Sequence, residues 1–104
     1  MASPAYVERA LALARKYDFM LFFDECYSEI YTGASAPTGG LEVAAKTPER
    51  FRNIVVFNSL SKRSNLAGYR AGFAAGDPAL VRSLLEARKH LGLMMPTPVQ
   101  AAMT

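Results

Sequence analysis

The sequence predicts an α/β fold whose short strands are covered by helices on both faces. Three observations carry this expectation. Phe19-Met20-Leu21-Phe22-Phe23 is wholly apolar and stops at Asp24-Glu25, the pattern of a parallel strand buried on both sides. Asn53-Ile54-Val55-Val56-Phe57 has a β-branched centre and reads as a second buried strand. Apolar residues at helical spacing precede the first of these runs and recur near the end of the chain.

Each element has its own local signal. Ser3-Pro4 supplies an N-cap and a proline at the first helical position. Tyr6, Val7, Ala10, Leu11, Leu13, Ala14 and Tyr17 then recur at close to helical spacing, which predicts an amphipathic helix of about four turns. After the strand over 19–23, residues 32–48 hold Gly33, Pro37, Gly39, Gly40 and Pro48 among small polar residues and predict an exposed loop with one irregular turn over 41–45. Thr47-Pro48-Glu49 reads as a cap that opens a short turn before the strand over 53–57. Residues 70–76, with Gly72 and Gly76, predict a third, glycine-interrupted strand. Asp77-Pro78 caps a helix whose Leu80, Val81, Leu84, Leu85 and Leu91 form one apolar stripe. Pro96 ends that segment, and Thr97 is expected to cap a last helix that the end of the chain cuts short.

A chain of 104 residues has room for one compact unit and no second core. At 51% hydrophobic and 20% charged residues it has the composition of a globular protein, which argues against disorder. The net charge is +3, but the basic residues are scattered from Arg9 to Lys89 with no run and no interleaved aromatics, so no nucleic-acid partner is expected. No stretch approaches the roughly 20 apolar residues that span a bilayer. Nor does a charged segment followed by an apolar one open the chain, so the expectation is a cytoplasmic protein without a membrane partner. Cys26 is the single cysteine; it can form no internal disulfide and build no metal site, as in a reducing compartment, and is expected to be a small buried hydrophobe.

Ser59-Leu60-Ser61-Lys62 lies just past the second strand, Arg70 follows eight residues after the lysine, and Asp24 and Tyr27 stand at the end of the first apolar run. In open α/β sheets ligands gather beyond the carboxyl ends of strands, where Asp24, Tyr27, Ser59 and Lys62 fall. Together these residue types can hold every polar edge of pyridoxal phosphate. An ammonium near its ordinary pKa of about 10.4 is a poor nucleophile, and a neighbouring cation such as Arg63 or Arg70 lowers that value. Lys62 is then able to form an imine with the aldehyde and, once released, to move a proton at the substrate α-carbon. Asp24 against the pyridine nitrogen favours the protonated ring, and Tyr27 donates to the ring oxygen. Ser59 and Ser61, with nearby backbone N–H groups, reach the phosphate, for which the fork of Arg70 is suited.

Each of these residues alone has an ordinary explanation. A Ser-x-Ser-Lys string is a common solvated loop, an Asp at a strand end is a turn residue, and Arg70 is a surface cation. Their spacing and joint chemistry select the functional reading. The remaining residues keep the ordinary one: His90 partners a helix C-terminal dipole, Met94 and Met95 fill gaps, and Tyr31 and Tyr69 flank the motifs without an assigned role.

The residues from Asp24 to Tyr31 (Asp-Glu-Cys-Tyr-Ser-Glu-Ile-Tyr) and from Phe57 to Phe73 (Phe-Asn-Ser-Leu-Ser-Lys-Arg-Ser-Asn-Leu-Ala-Gly-Tyr-Arg-Ala-Gly-Phe) carry a family resemblance. The chain resembles fold-type I pyridoxal-phosphate enzymes, in particular the class I and II aminotransferases. That resemblance implies a mostly parallel sheet with flanking helices. It also implies that Asp24 and Tyr27 contact the cofactor ring, Lys62 forms the imine, and Ser59, Ser61 and Arg70 bind phosphate. The stretch from Ser59 to Gly68 looks most like succinyldiaminopimelate aminotransferases of lysine biosynthesis. A family member carries further segments of the large domain before the part resembling this chain. After it come the interdomain helix and a small domain with the arginine that grips the substrate carboxylate. Residues 1–104 are therefore expected to be the central part of the cofactor-binding large domain, with its N-terminal part and the C-terminal small domain absent.

The resemblance implies transamination between an amino acid and a keto acid in a homodimeric parent. Two alternatives stay open: a β-lyase or decarboxylase that shares the cofactor contacts, and a non-catalytic sensor domain built on the same fold. The isolated 104 residues are expected to be inactive and, with strand edges and apolar faces uncovered, to self-associate.

Overall fold

The computed structural model describes residues 2–92 and 94–103. Helix α1 spans Pro4–Tyr17. Ser3 is extended, its hydroxyl oxygen accepts the Tyr6 N–H, and Pro4 takes the first position, where no N–H partner is needed. Asp18 closes the helix in the left-handed region, its N–H donating to the Ala14 carbonyl, behind Arg15 and Lys16 in the last turn. Val7, Leu11 and Ala14 form the buried stripe. Tyr6, Leu13 and Tyr17 lie roughly 100° around the helix from that stripe and are at least half exposed, so only part of the expected apolar face is used.

Strand β1 is Leu21–Asp24, β2 is Ile54–Ser59 and β3 is Gly72–Gly76, in the order β1-β2-β3. The β1–β2 pairing is parallel, with Leu21 opposite Ile54 and Asp24 opposite Phe57. The β2–β3 pairing is antiparallel, with Val55 opposite Gly76 and Ser59 opposite Gly72. The α/β character is as expected, but a mostly parallel sheet is replaced here by one parallel and one antiparallel pair. The reason lies in the β2–β3 connection. It holds only the one-turn helix α3, Leu60–Arg63, and a 3-10 turn, Ala67–Tyr69. The Leu60 N–H donates to the Ala71 carbonyl at 3.0 Å, so both ends of the connection meet at one end of the sheet.

The two glycines of β3 allow it to lie close to β2. A Cβ at Gly72 would stand 2.7 Å from the Asn58 carbonyl oxygen, and one at Gly76, where φ is +149°, would stand 2.1 Å from that of Ile54. Asn53 precedes β2 rather than opening it, with φ at 64°. Its side-chain amide donates to the Phe19 carbonyl at 3.1 Å, and its N–H donates to Asp77 Oδ2 at 2.9 Å. Asp77 in turn caps α4, Pro78–Leu91, by accepting the Ala79 N–H.

The largest core cluster lies on one face of the sheet, where Val7 and Leu11 of α1 meet Ile54 and Val56, together with Val43 and Ala44 of α2, Gly40–Ala45, while Val55, which alternates to the other face, is also fully buried. The irregular turn expected over 41–45 is this six-residue helix. On the other face Phe22 is 51% exposed and meets Phe57 edge to face at 5.7 Å. Among the described residues α4 packs mainly against β3, which leaves Phe22 on the second face of β1 half exposed. The stripe of α4 is used in its first half: Leu80, Val81 and Leu84 are half-buried, whereas Leu85 and Leu91 are exposed. His90 stands with Arg88 and Lys89 in the last turn. Helix α5 is Thr97–Met103, and its first N–H groups bond the Pro96 carbonyl, so Pro96 takes the cap position expected for Thr97. Among the described residues no helix is long and apolar enough to cross a membrane.

Candidate functional site

The parallel register brings two strand ends together. Asp24 lies opposite Phe57, and the Glu25 N–H extends the pairing by donating to the Phe57 carbonyl at 2.8 Å. Asp24, Tyr27, Ser59 and Lys62 therefore lie beyond the same edge of the sheet, at the carboxyl ends of the two parallel strands.

Just past β1 the chain turns sharply. Asp24 Oδ1 accepts the Cys26 N–H at 3.1 Å, and the Ser28 N–H donates to the Glu25 carbonyl at 3.0 Å, which puts Tyr27 at the third position of a β-turn. The Cys26 thiol and the Cys26 N–H both donate to Asp24, which holds its carboxyl below the ordinary value in spite of a small opposing effect of burial. The same thiol hydrogen bond, with burial and the nearby charge, pushes Cys26 up. Cys26 is half-buried, so it differs from the small buried hydrophobe expected. Asp24 is exposed and ionised at neutral pH, an acceptor aimed out of the strand end.

Ser59 is at once the last residue of β2 and the N-cap of α3. Its Oγ accepts the Ser61 N–H at 3.1 Å and lies 3.0 Å from Ser61 Oγ and 3.2 Å from the Ala71 carbonyl oxygen. The Asn58 side-chain oxygen accepts the Ser59 N–H at 2.7 Å. This brings the two hydroxyls side by side. One helical step beyond, the Lys62 ammonium stands over the Tyr27 ring, 5.6 Å from its centroid.

Arg70 is the residue set apart. It has φ of 51° and closes the 3-10 turn, and its guanidinium donates to the Ala67 carbonyl at 3.1 Å. Among the described residues no hydrogen bond joins it to Ser59 or Ser61, although Ala71, the next residue, touches Ser59. It borders an open groove lined by Leu66, Tyr69, Pro96 and Val99. Arg63, expected as a cationic neighbour of Lys62, faces Glu29 at 3.8 Å.

Two groups at this edge were not singled out by the sequence. Asn58 fixes the Ser59 N–H, and Glu25 reaches Gly40, where Oε1 accepts the N–H at 2.6 Å. The signal for the second was present: α2 opens at Gly39 and Gly40, which have no side chain to cap it.

An α/β unit with this topology is the kind found in aminotransferases. The Helicobacter pylori aminotransferase AspB superposes with a TM-score of 0.88 at 39% identity, over 96% of this chain and 27% of that one. A probable N-succinyldiaminopimelate aminotransferase from Thermus thermophilus superposes with a TM-score of 0.78 at 33% identity, over 95% of this chain and 26% of that one. The family Aminotransferase class I and II matches residues 1–104, and the chain belongs to it. Among relatives, the 4-dedimethylamino-4-oxo-anhydrotetracycline transaminase OxyQ of Streptomyces rimosus is 48% identical over 93 residues, 89% of this chain and 25% of that protein. The chain thus spans about a quarter of the length of the proteins it matches. The family uses pyridoxal phosphate, and the named substrates of its members differ.

Proposed function

We propose that the protein to which these residues belong is a pyridoxal-phosphate-dependent aminotransferase that moves an amino group between an amino acid and a keto acid. The observation that carries the reading is the Lys62 ammonium over the Tyr27 ring at the joint strand ends, in a chain of this family. The donor set fits the cofactor. An ionised Asp24 is the acceptor for a protonated ring nitrogen, the Tyr27 phenol is a donor for the ring oxygen, and the adjacent hydroxyls of Ser59 and Ser61 suit a phosphate. Arg70 adds a guanidinium for the same phosphate once it releases the Ala67 carbonyl. When bound, pyridoxal phosphate supplies the electron sink for negative charge at a substrate α-carbon. Lys62 holds the cofactor through its Nζ and then carries the proton at that carbon.

In this reading residues 1–104 are the central part of the cofactor-binding domain of a cytoplasmic homodimer, with the further length of its relatives supplying the rest. For the substrate, the stretch from Ser59 to Gly68 and the Thermus thermophilus structure support N-succinyldiaminopimelate as the amine. The higher identity to OxyQ favours a second reading, in which the acceptor is a ketone like that of the tetracycline transaminase.

The test is an absorbance spectrum of the complete gene product with pyridoxal phosphate, before and after borohydride, beside its Lys62→Ala variant. A visible band that borohydride locks onto Lys62 and that the variant lacks is the expected result. A complete protein without the band overturns the reading. Release of a keto acid from the donor separates transamination from lyase or decarboxylase chemistry, and a band with no turnover of any amine marks a sensor.

A further inference from the structure

We propose that Glu25 is a positioning residue for the site, tying the turn that carries Tyr27 to the start of α2. Glu25 is held at both ends. Its N–H donates to the Phe57 carbonyl of β2 at 2.8 Å, and its carboxylate Oε1 accepts the Gly40 N–H at 2.6 Å. It is also the first residue of the β-turn closed by the Ser28 N–H, so what fixes Glu25 fixes the base of the loop from which Tyr27 projects.

The sequence around α2 is built to receive this carboxylate. Gly39 occupies the N-cap position with no side-chain hydrogen bond of its own. A Cβ there would lie 3.2 Å from Glu25 Oε2, and one at Gly40 would lie 3.3 Å from Glu25 Oε1. The two glycines thus leave room for a cap delivered from fifteen residues upstream. A negative group at a helix start is also favoured by the exposed N–H groups and the dipole. The local capping residue is therefore absent and a remote one takes its place. The effect is to join the cofactor-side turn after β1 to a helix seated on the core through Val43 and Ala44. Without that tie Tyr27, which is 62% exposed, is held under the Lys62 ammonium by its own turn and the backbone bond from Glu25 to Phe57, with nothing linking the turn to α2.

The inference rests on the cofactor reading above, and its test separates the two. In the complete gene product, Glu25→Ala, Glu25→Gln and the double variant Glu25→Ala with Gly39→Ser are compared with the parent. Gln keeps an acceptor oxygen at the same reach. Gly39→Ser gives α2 its own cap but leaves the turn untied. Hydrogen exchange on the cofactor-free protein reads the amides of Gly40 and Ser28. A pH titration of the visible band and a pyridoxal phosphate binding curve read the geometry at Tyr27 and Lys62.

In Glu25→Ala both amides exchange faster, cofactor binding weakens by at most about tenfold, the cost of losing the Tyr27 hydrogen bond itself, and the pH midpoint of the band moves. Glu25→Gln restores most of this. The double variant recovers thermal stability, because the hydroxyl introduced by Gly39→Ser accepts from the Leu41 or Glu42 N–H, but it leaves the Gly40 amide fast and keeps the displaced midpoint, which a purely structural cap would not do. If Glu25→Ala retains the parent's midpoint and binding curve, or if Gly39→Ser restores them, Glu25 is a helix cap alone and the proposal is wrong. A parent with no band at all removes the cofactor reading and this inference with it, whatever the exchange data show.

Discussion

Lys62 Nζ and the Tyr27 ring meet at 5.6 Å although they come from different strand ends, and the contact exists because Asp24 pairs with Phe57 in parallel register. A slip of one residue in that register would turn every side chain of β1 to the other face and separate the two groups. The register is secured by burial of Ile54 and Val56 against α1 and α2.

Tyr27→Phe keeps the ring face beneath the ammonium and deletes only the phenol. Cofactor affinity is expected to fall by about tenfold, the scale of one hydrogen bond to a charged or polarised group, with no change in folding. Tyr27→Ala also removes the cation–π contact, worth roughly 0.5–1 kcal/mol at an exposed position. Binding curves with pyridoxal phosphate on the complete gene product check both, and equal affinities for Tyr27→Phe and the parent would count against contact with the ring oxygen.

Asp77 links acid stability to structure. Burial raises its carboxyl, but the N–H groups of Asn53, Ala79 and Leu80, with Arg52 nearby, outweigh burial and hold it below the ordinary value. A group with a depressed folded pKa contributes stability that is present above the unfolded value of about 3.9 and is lost as pH falls through the folded one. Asp77→Asn keeps the cap and is expected to flatten the decline of the thermal midpoint below about pH 4. Asp77→Ala is expected to cost about 1 kcal/mol or more at pH 7, since it also leaves the Asn53 N–H without its acceptor. Thermal melts from pH 3 to 7 decide the matter.

Gly76→Ala and Gly68→Ala form a contrasting pair. The first puts a Cβ 2.1 Å from the Ile54 carbonyl oxygen at a φ of +149°, while the second meets nothing within 4 Å. Gly76→Ala is expected to destabilise by about 3 kcal/mol or more, or to prevent folding, through backbone strain in the β2–β3 pair. Gly68→Ala is expected to stay within about 0.5 kcal/mol of the parent. Urea midpoints measure the difference.

Phe22 on β1 is 51% exposed, and among the described residues both outer strands of the three-stranded sheet have an unpaired edge. Residues 1–104 produced alone are expected to self-associate at micromolar concentration. Size-exclusion chromatography with light scattering tests this, and a monomer that melts cooperatively would show that the unit covers itself.

Much of this was legible in the linear sequence, because the signals are local. Ser3-Pro4 and Asp77-Pro78 mark helix starts by their own hydrogen-bonding chemistry, and the apolar runs at 19–23 and 53–57 mark strands by composition. Asp24, Tyr27, Ser59, Ser61 and Lys62 were also readable as neighbours at the strand ends, where the structure places them. What only the tertiary structure decided depends on partners distant along the chain. The antiparallel direction of β3 comes from the Leu60–Ala71 hydrogen bond, and the half exposure of Phe22 on β1 from where α4 packs. The orientation of Arg70 toward Ala67 and the capping of α2 by Glu25 are of the same kind. Local patterns encode which backbone shape a segment prefers. Which segments meet, and which polar group satisfies which, is set by the shared burial of the core and is written in no single stretch of residues.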